Sequence, residues 1–350
     1  MEERARENGL SKFDRAATGK MGCPPLRRFL RICQNVIVPG VTSGVLDGMV
    51  FALSMTAIAS ATLVTVPVDS PFRRVARRFF GDRLAMVATS VILLFFLTAV
   101  VAGVCSLLGW PMPMDPNATN LAGKLLPPNA ANWLGTDNLG RDVLSRMVAG
   151  STISLTVGFV AMAVSLGIGI VVGAVSGYFG GWVDNVIMRL VDALLCFPSF
   201  FLILTAIAIL GPNIWIIIAV IGIVGWTGTA RLVRAEFLTL RESEYVRAAR
   251  ALGQSGQKII FRHILPNAFA PIFVTAVISI PDAILIESGL SFLSFGVPPP
   301  QATWGNIIAD GKTYFLDAWW LIVFPGLAIF TASLAFYLAG DAIRRAVATR

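Results

Sequence analysis

The chain has 350 residues, of which 56% are hydrophobic and only 14% charged, with a mean hydropathy of +0.75. A soluble domain carries about 25% charged residues, so this composition excludes an ordinary soluble fold and asks for lipid as solvent. The net charge of +8 would suit nucleic acid, but the Lys and Arg residues stand in short clusters between long apolar runs, with no basic and aromatic residues interleaved, so they are read as topology-setting charge and no nucleic-acid partner is expected.

Residues 1–67 form an N-terminal extension, set apart from a main body over 68–350. Positions 1–35 are polar and basic, and Val36 to Val66 is apolar apart from Asp47, with the charge-free stretch Gly48 to Val66 long enough to span a bilayer. Eight Lys plus Arg precede this run and five follow it before the next span, so one basic cluster would lie outside if it crossed. A seventh span, a surface or re-entrant segment and an artefactual start site all stay open. A cleaved signal peptide is not expected, because the run starts only at Val36 and is too long for a signal core.

Six later stretches offer the roughly 20 apolar residues that a hydrocarbon core of about 30 Å requires. They are Leu84–Leu108, Ile153–Gly177, Val186–Leu210, Ile214–Val233, Ala268–Ile286 and Trp319–Gly340. The expected fold class is therefore all-α integral membrane, with a six-helix core. Counting Lys and Arg from Ser70 onward, one side of this topology holds 16 and the other 4, which puts both ends of the core on the cytoplasmic side. The segments Gly109–Gly150 and Gly289–Ala318, rich in Pro, Trp and Gly, then face outward as ordered loops and interfacial helices.

Within these spans a few residues stand out. Gly169, Gly173, Gly177 and Gly181 recur at spacing four and predict close approach of a second helix. Arg189 and Asp192 are spaced to pair on one helix face, and they, with Glu287 near the outer mouth, are candidates for a translocation path. Asp282 poses the same question, and Pro271 and Pro281 can bend the fifth span. Four scattered cysteines and the single His263 give no disulfide framework, metal site or catalytic triad, so no cofactor is expected. Gly311-Lys312-Thr313 imitates the end of a phosphate-binding loop, but position 306 is Asn, so the required spacing fails.

Between the fourth and fifth spans the chain reads Glu244-Tyr-Val-Arg-Ala-Ala-Arg-Ala-Leu-Gly253 and continues to Arg262-His-Ile-Leu-Pro266-Asn267. Glu236 to Leu252 is dense in helix formers, Gly253 is a helix-stop signal, and Gln257 to Ile264 can form a second short helix before Pro266. Such a helix, turn, helix element over 236–267 carries small Ala248 and Ala249 flanked by Arg247 and Arg250, which suits a helix-in-groove contact with a soluble partner.

The pattern Ala248-Ala249, Gly253, Leu265-Pro266 resembles the cytoplasmic EAA loop of ABC importer permeases, with Arg247 standing where that motif has Glu and His263 where it often has Ile. Further segments agree: Trp133 to Arg146, Gly180 to Asp192, Ser291 to Gly305, and Gly340-Asp341-Ala-Ile-Arg344. From about Ser70 to the end the chain resembles the C-type permease of dipeptide, oligopeptide and nickel importers. The resemblance implies a bacterial-type inner-membrane, multi-pass subunit, with no enzymatic activity of its own. It implies ATP hydrolysis in two partner ATPases, a sister permease, a solute-binding protein outside and a peptide as cargo, with nickel or another small solute as the alternative. Arg247, Ala248, Ala249, Gly253, Leu265 and Pro266 would then couple the chain to the ATPase. A secondary transporter or membrane-embedded enzyme is less favoured, because neither inverted repeats nor a catalytic constellation is found.

Overall fold

The computed structural model describes residues 71–109 and 115–348, so the N-terminal extension and its apolar run lie outside the described residues. The described residues are helical, with an isolated bridge between Thr136 and Asp142 as their β-type pairing. A short helix α1 (Pro71–Gly81) leads into α2 (Arg83–Leu108), which Asp82 caps by accepting the Leu84 N–H at 2.9 Å. Next come α3 (Val143–Phe179), α4 (Gly181–Leu195), α5 (Ser199–Leu210) and α6 (Ile214–Arg241). The chain then forms α7 (Glu244–Ala251), α8 (Gly256–Ile259), α9 (Leu265–Phe292), α10 (Trp304–Gly311) and α11 (Trp320–Ala348). Five helical stretches are long and apolar enough to cross a membrane, and α4 with α5 makes a sixth crossing if the pair counts as one.

That pair corrects the expectation of a continuous third span over Val186–Leu210. The helix breaks at Cys196-Phe197-Pro198 and turns by 80°. Pro198 has no N–H to bond back into α4 and disfavours helical backbone at Phe197, so the break is written in the sequence although hydropathy alone runs through it. The second correction concerns Pro266. A separate short helix was expected before it, but the helix runs from Gly256 into α9 through a π turn over Ile260–Ile264, in which the Leu265 N–H reaches the Ile260 carbonyl. The wider turn absorbs the proline instead of stopping at it.

The core is built on the contact between α3 and α6. A Cβ on Gly169 would lie 2.6 Å from Thr229, one on Gly173 2.5 Å from the Ala230 carbonyl oxygen, and one on Gly177 2.6 Å from the Phe237 Cβ. Three glycines of the predicted series thus let the helices touch backbone to side chain, as small residues do in lipid. Gly181 does not join them, because α3 has already ended and Gly181 opens α4 with φ +55°. Around this seam Val157, Ala161, Ile203, Ile207, Ile217 and Leu290 pack α3, α5, α6 and α9 together. A second cluster, with Ile280, Ile284, Trp304 and Phe336, joins α9, α10 and α11.

Candidate functional site

One end of the bundle carries the α3–α4 turn, α7, α8 and the C-terminal end of α11. Here α7 is amphipathic in a specific sense. Val246 and Ala249 turn inward, Ala249 being 5% exposed, while Tyr245, Ala248 and Leu252 lie on one outward face and Leu252 is 81% exposed. Arg247 and Arg250 are exposed beside that face. Gly253 ends the helix with φ +74°, its N–H donating to the Arg250 carbonyl at 3.0 Å while the Gln254 N–H reaches the Ala249 carbonyl at 3.2 Å. This pair of bonds is the Schellman arrangement, which needs the left-handed conformation that glycine adopts at no steric cost.

The turn is anchored. Val246, Ala249, Ile259 and Ile264 bury against Phe237 of α6 and Ile272 of α9, with Tyr178 of α3 at the edge. Full burial of an isoleucine side chain contributes about 1.5–3 kcal/mol, so the two isoleucines alone hold the element firmly against the bundle. Gly256 sits where a Cβ would come within 2.8 Å of the Tyr178 hydroxyl, and His263 Nε2 lies 2.8 Å from Gln254 Oε1 across the turn. Leu265 is half-buried, whereas Pro266 is exposed at the start of α9.

Sequence reasoning treated Ala248 and Ala249 as equivalent. The structure separates them: Ala249 is used by the protein's own core, and Ala248 is presented outward.

The ionisable residues of the spans are arranged differently from the expected pairing. Asp192 of α4 pairs with Arg231 of α6, not with Arg189, which is exposed and has no ion-pair partner among the described residues. A guanidinium from the neighbouring helix thus takes the place of the one that the carboxylate's own helix was expected to supply. One turn along α6, Arg234 grips Asp184 through two nitrogens, with Nη2 to Oδ2 at 2.6 Å, and Ser176 of α3 donates to the same carboxylate. This bidentate clasp joins three helices. Arg231 and Arg234 had been counted only as positive charge, and spacing along a single helix could not reveal partners on another. Glu287 is fully enclosed at 0% exposure, accepting from the Ser291 hydroxyl at 2.7 Å.

The opposite end is a cap made from residues 115–142, 293–319 and α10. Arg141 Nε lies 2.6 Å from Asp137 Oδ2, and its Nη2 lies 3.1 Å from Asp310 Oδ2; Arg146, 2% exposed, stands 3.5 Å from both carboxylates. Asp142 caps α3 through the Ser145 N–H, and Trp320 Nε1 donates to the Thr136 carbonyl. Burial pushes the Asp310 carboxyl up from its ordinary value, against the pull of Arg146 and Arg141. The imitation phosphate loop lies here, inside a helical turn, and its Lys312 ammonium donates to the Phe292 carbonyl at 3.3 Å.

A bundle of this kind, with five apolar crossings and a bent helix pair that can make a sixth among the described residues, a locked cap at one end and a presented helix at the other, defines a multi-pass membrane protein of the transporter class. Residues 169–350 match the family described as binding-protein-dependent transport system inner membrane component, and residues 70–128 match the N-terminal transmembrane domain of oligopeptide transport permease C. A candidate peptide transport system permease protein of Brucella abortus is 40% identical over 295 residues, covering 83% of this chain and 96% of the relative. The dipeptide transport system permease protein of Alkalihalophilus pseudofirmus is 37% identical over 278 residues, covering 79% and 90%. A chain of the MetNI methionine ABC transporter, solved in inward facing conformations, gives a TM-score of 0.49 at 20% identity, over 59% of this chain and 98% of that one. The protein belongs to the family of inner membrane components of binding-protein-dependent transport systems, and it is therefore a multi-pass permease subunit of an ABC importer.

Proposed function

We propose that the chain carries peptides across the cytoplasmic membrane as one of two permease subunits, and that α7 and α8 couple it to an ATPase. The observation that carries the coupling assignment is the outward face of α7. Tyr245, Ala248 and Leu252 expose apolar surface at the tip of an element whose other face is anchored in the bundle, and Arg247 and Arg250 flank it. A groove on a soluble partner would cover that surface, with Ala248 allowing close approach. Gly253 holds the turn, and Leu265 and Pro266 join it to α9. The peptide cargo is supported by the relatives, which are named for peptides and dipeptides, and this favours peptide over nickel.

In this reading the α7 end is cytoplasmic, in line with the 16-to-4 bias in Lys and Arg. The cap faces outward toward a solute-binding protein, and a sister permease completes the pathway. ATP is hydrolysed by the partner ATPases. Arg189 and the Asp192–Arg231 pair would face that pathway near its inner end, and Glu287 would be a structural tie behind its wall. Co-purification in mild detergent tests the coupling assignment. Ala248→Arg should leave the chain inserted and paired with its sister permease while ATPase attachment and peptide uptake are lost. Normal ATPase attachment and uptake by that variant would overturn it.

A further inference from the structure

The exposed surface of a membrane helix states what solvates it. Along α2 that surface is Leu93, Leu94, Leu97, Val100, Val101 and Val104, as acyl chains require. One face of α9 reads differently. Thr275, Ser279 and Asp282 fall within about 60° of one another on a helix of 3.6 residues per turn, the first two half-buried and Asp282 exposed. The hydroxyls bond back to their own helix, Thr275 to the Pro271 carbonyl and Ser279 to the Ala276 carbonyl, so these two alone would tolerate lipid. Asp282 would not. Its carboxylate accepts the hydroxyl of Tyr337 on α11, and no Lys, Arg or His among the described residues pairs with it.

A second observation lies on the same face. Toward the cap, Ile286 and Phe200 of α5 both pack against the same core cluster, and a Cβ on Gly289 would lie 3.3 Å from the Phe200 ring. Phe200 stands beside the break at Cys196-Phe197-Pro198, whose residues are exposed. Irregular backbone at membrane depth is tolerated where protein or a water-filled space covers it, not where lipid does. A polar stripe that ends on a carboxylate without a cationic partner among the described residues thus shares its face with the contact to Phe200, beside the broken helix.

We propose that Thr275, Ser279 and Asp282, with Tyr337 beside them, border the aqueous route of the solute, and that Asp282 draws the solute's cationic group, which in a peptide is the terminal ammonium. This rests on the importer reading for the identity of the solute, but the electrostatic character of the stripe can be measured without it.

The experiment uses the assembled complex in nanodiscs, with Cys23, Cys33, Cys105 and Cys196 replaced, and compares a cationic with an anionic water-soluble methanethiosulfonate. Ser279→Cys should react with the cationic reagent about tenfold faster than with the anionic one, because a carboxylate one helical turn away acts through a medium less polarisable than bulk water. Asp282→Asn should bring that ratio to about one, and Asp282→Glu should keep it. Thr275→Cys serves as a second reporter should Ser279→Cys fail to assemble, and Leu97→Cys on α2 should react with neither reagent. Inert cysteines at both stripe positions would mean that lipid or the sister permease covers them, and would overturn the proposal. So would a ratio indifferent to Asp282→Asn. Absence of any co-purifying ATPase from the unmodified complex would instead strike at the importer reading and leave the labelling result standing.

Discussion

The two ends of this molecule spend their charges in opposite ways. At the cap Arg141, Arg146, Asp137 and Asp310 are gathered into a nearly closed network in which Asp137 is 1% exposed. At the α7 end Arg247 and Arg250 stand exposed on a helix whose apolar tip is also open. Buried ions must be paired within the chain, because nothing else solvates them. Exposed ions on an anchored helix stay available to another molecule. The first end reads as a finished structure, and the second suits the interface proposed for it.

Breaking the cap should have the largest effect. Arg146→Ala leaves Asp137 and Asp310 with one guanidinium fewer in a buried setting, a change that typically costs about 3–5 kcal/mol. The expected result is a sharp loss of folded, monodisperse protein in detergent, read as a lowered unfolding temperature by fluorescence-detected chromatography. Wild-type stability in that variant would show that the network is not what closes the cap.

A smaller effect is expected at Gly253. Gly253→Val forces a β-branched side chain into φ +74°, a strain of about 1–3 kcal/mol. Since Val246, Ile259 and Ile264 keep the rest of the element in place, the loss should appear mainly in ATPase attachment. Full attachment with full uptake would remove Gly253 from the interface side of the comparison.

Acidification sharpens the contrast because the two ends respond with opposite sign. Asp82 accepts a hydrogen bond from Arg345 at 2.9 Å, which holds its carboxyl below the usual range. Its contribution is present above the unfolded-state value and is lost as pH falls through the lower folded-state value. Asp310 is shifted upward by burial, so its contribution is full below the unfolded-state value and fades as pH rises through the higher folded-state one. Hydrogen exchange followed from neutral pH down to about 3, corrected for the intrinsic rate, should therefore show loosening around Asp82 and tightening around Asp310. Parallel changes at both ends would refute the assignment of these two groups.

The smallest effects should come from outside the comparison. Deleting residues 1–67 should leave assembly and uptake largely intact, and Lys312→Met should change uptake by less than about a factor of two, since water replaces an exposed hydrogen bond at little net cost. Loss of the complex on deletion would give the N-terminal extension a structural role.

Much of this was legible in the sequence. Among the described residues apolar runs located the crossings, Gly169, Gly173 and Gly177 announced the close approach of a second helix, which proved to be α6, and Gly253 marked the end of α7, because each signal is local. What escaped depends on neighbours distant in sequence. Arg234 and Asp184 are 50 positions apart, Ala249 meets inward partners on other helices, and no periodicity along one element reports such meetings. The break at Pro198 was written locally but was masked by a hydropathy average that a single imino acid barely disturbs.

The π turn at Ile260–Ile264 has a mechanical consequence. Because it joins α8 to α9 without interruption, the stretch from Gly256 to Phe292 is one 37-residue rod, about 55 Å long at 1.5 Å per residue. Its near end lies under the exposed tip of α7, and its far end holds Glu287 and Ser291 beneath the cap. Torque applied at Gly256 would travel down a single drive shaft, with points of flexure at Pro266, Pro271 and Pro281, where missing N–H groups slacken the helix. A twist of the near end would thus reach the far end without crossing a single loop.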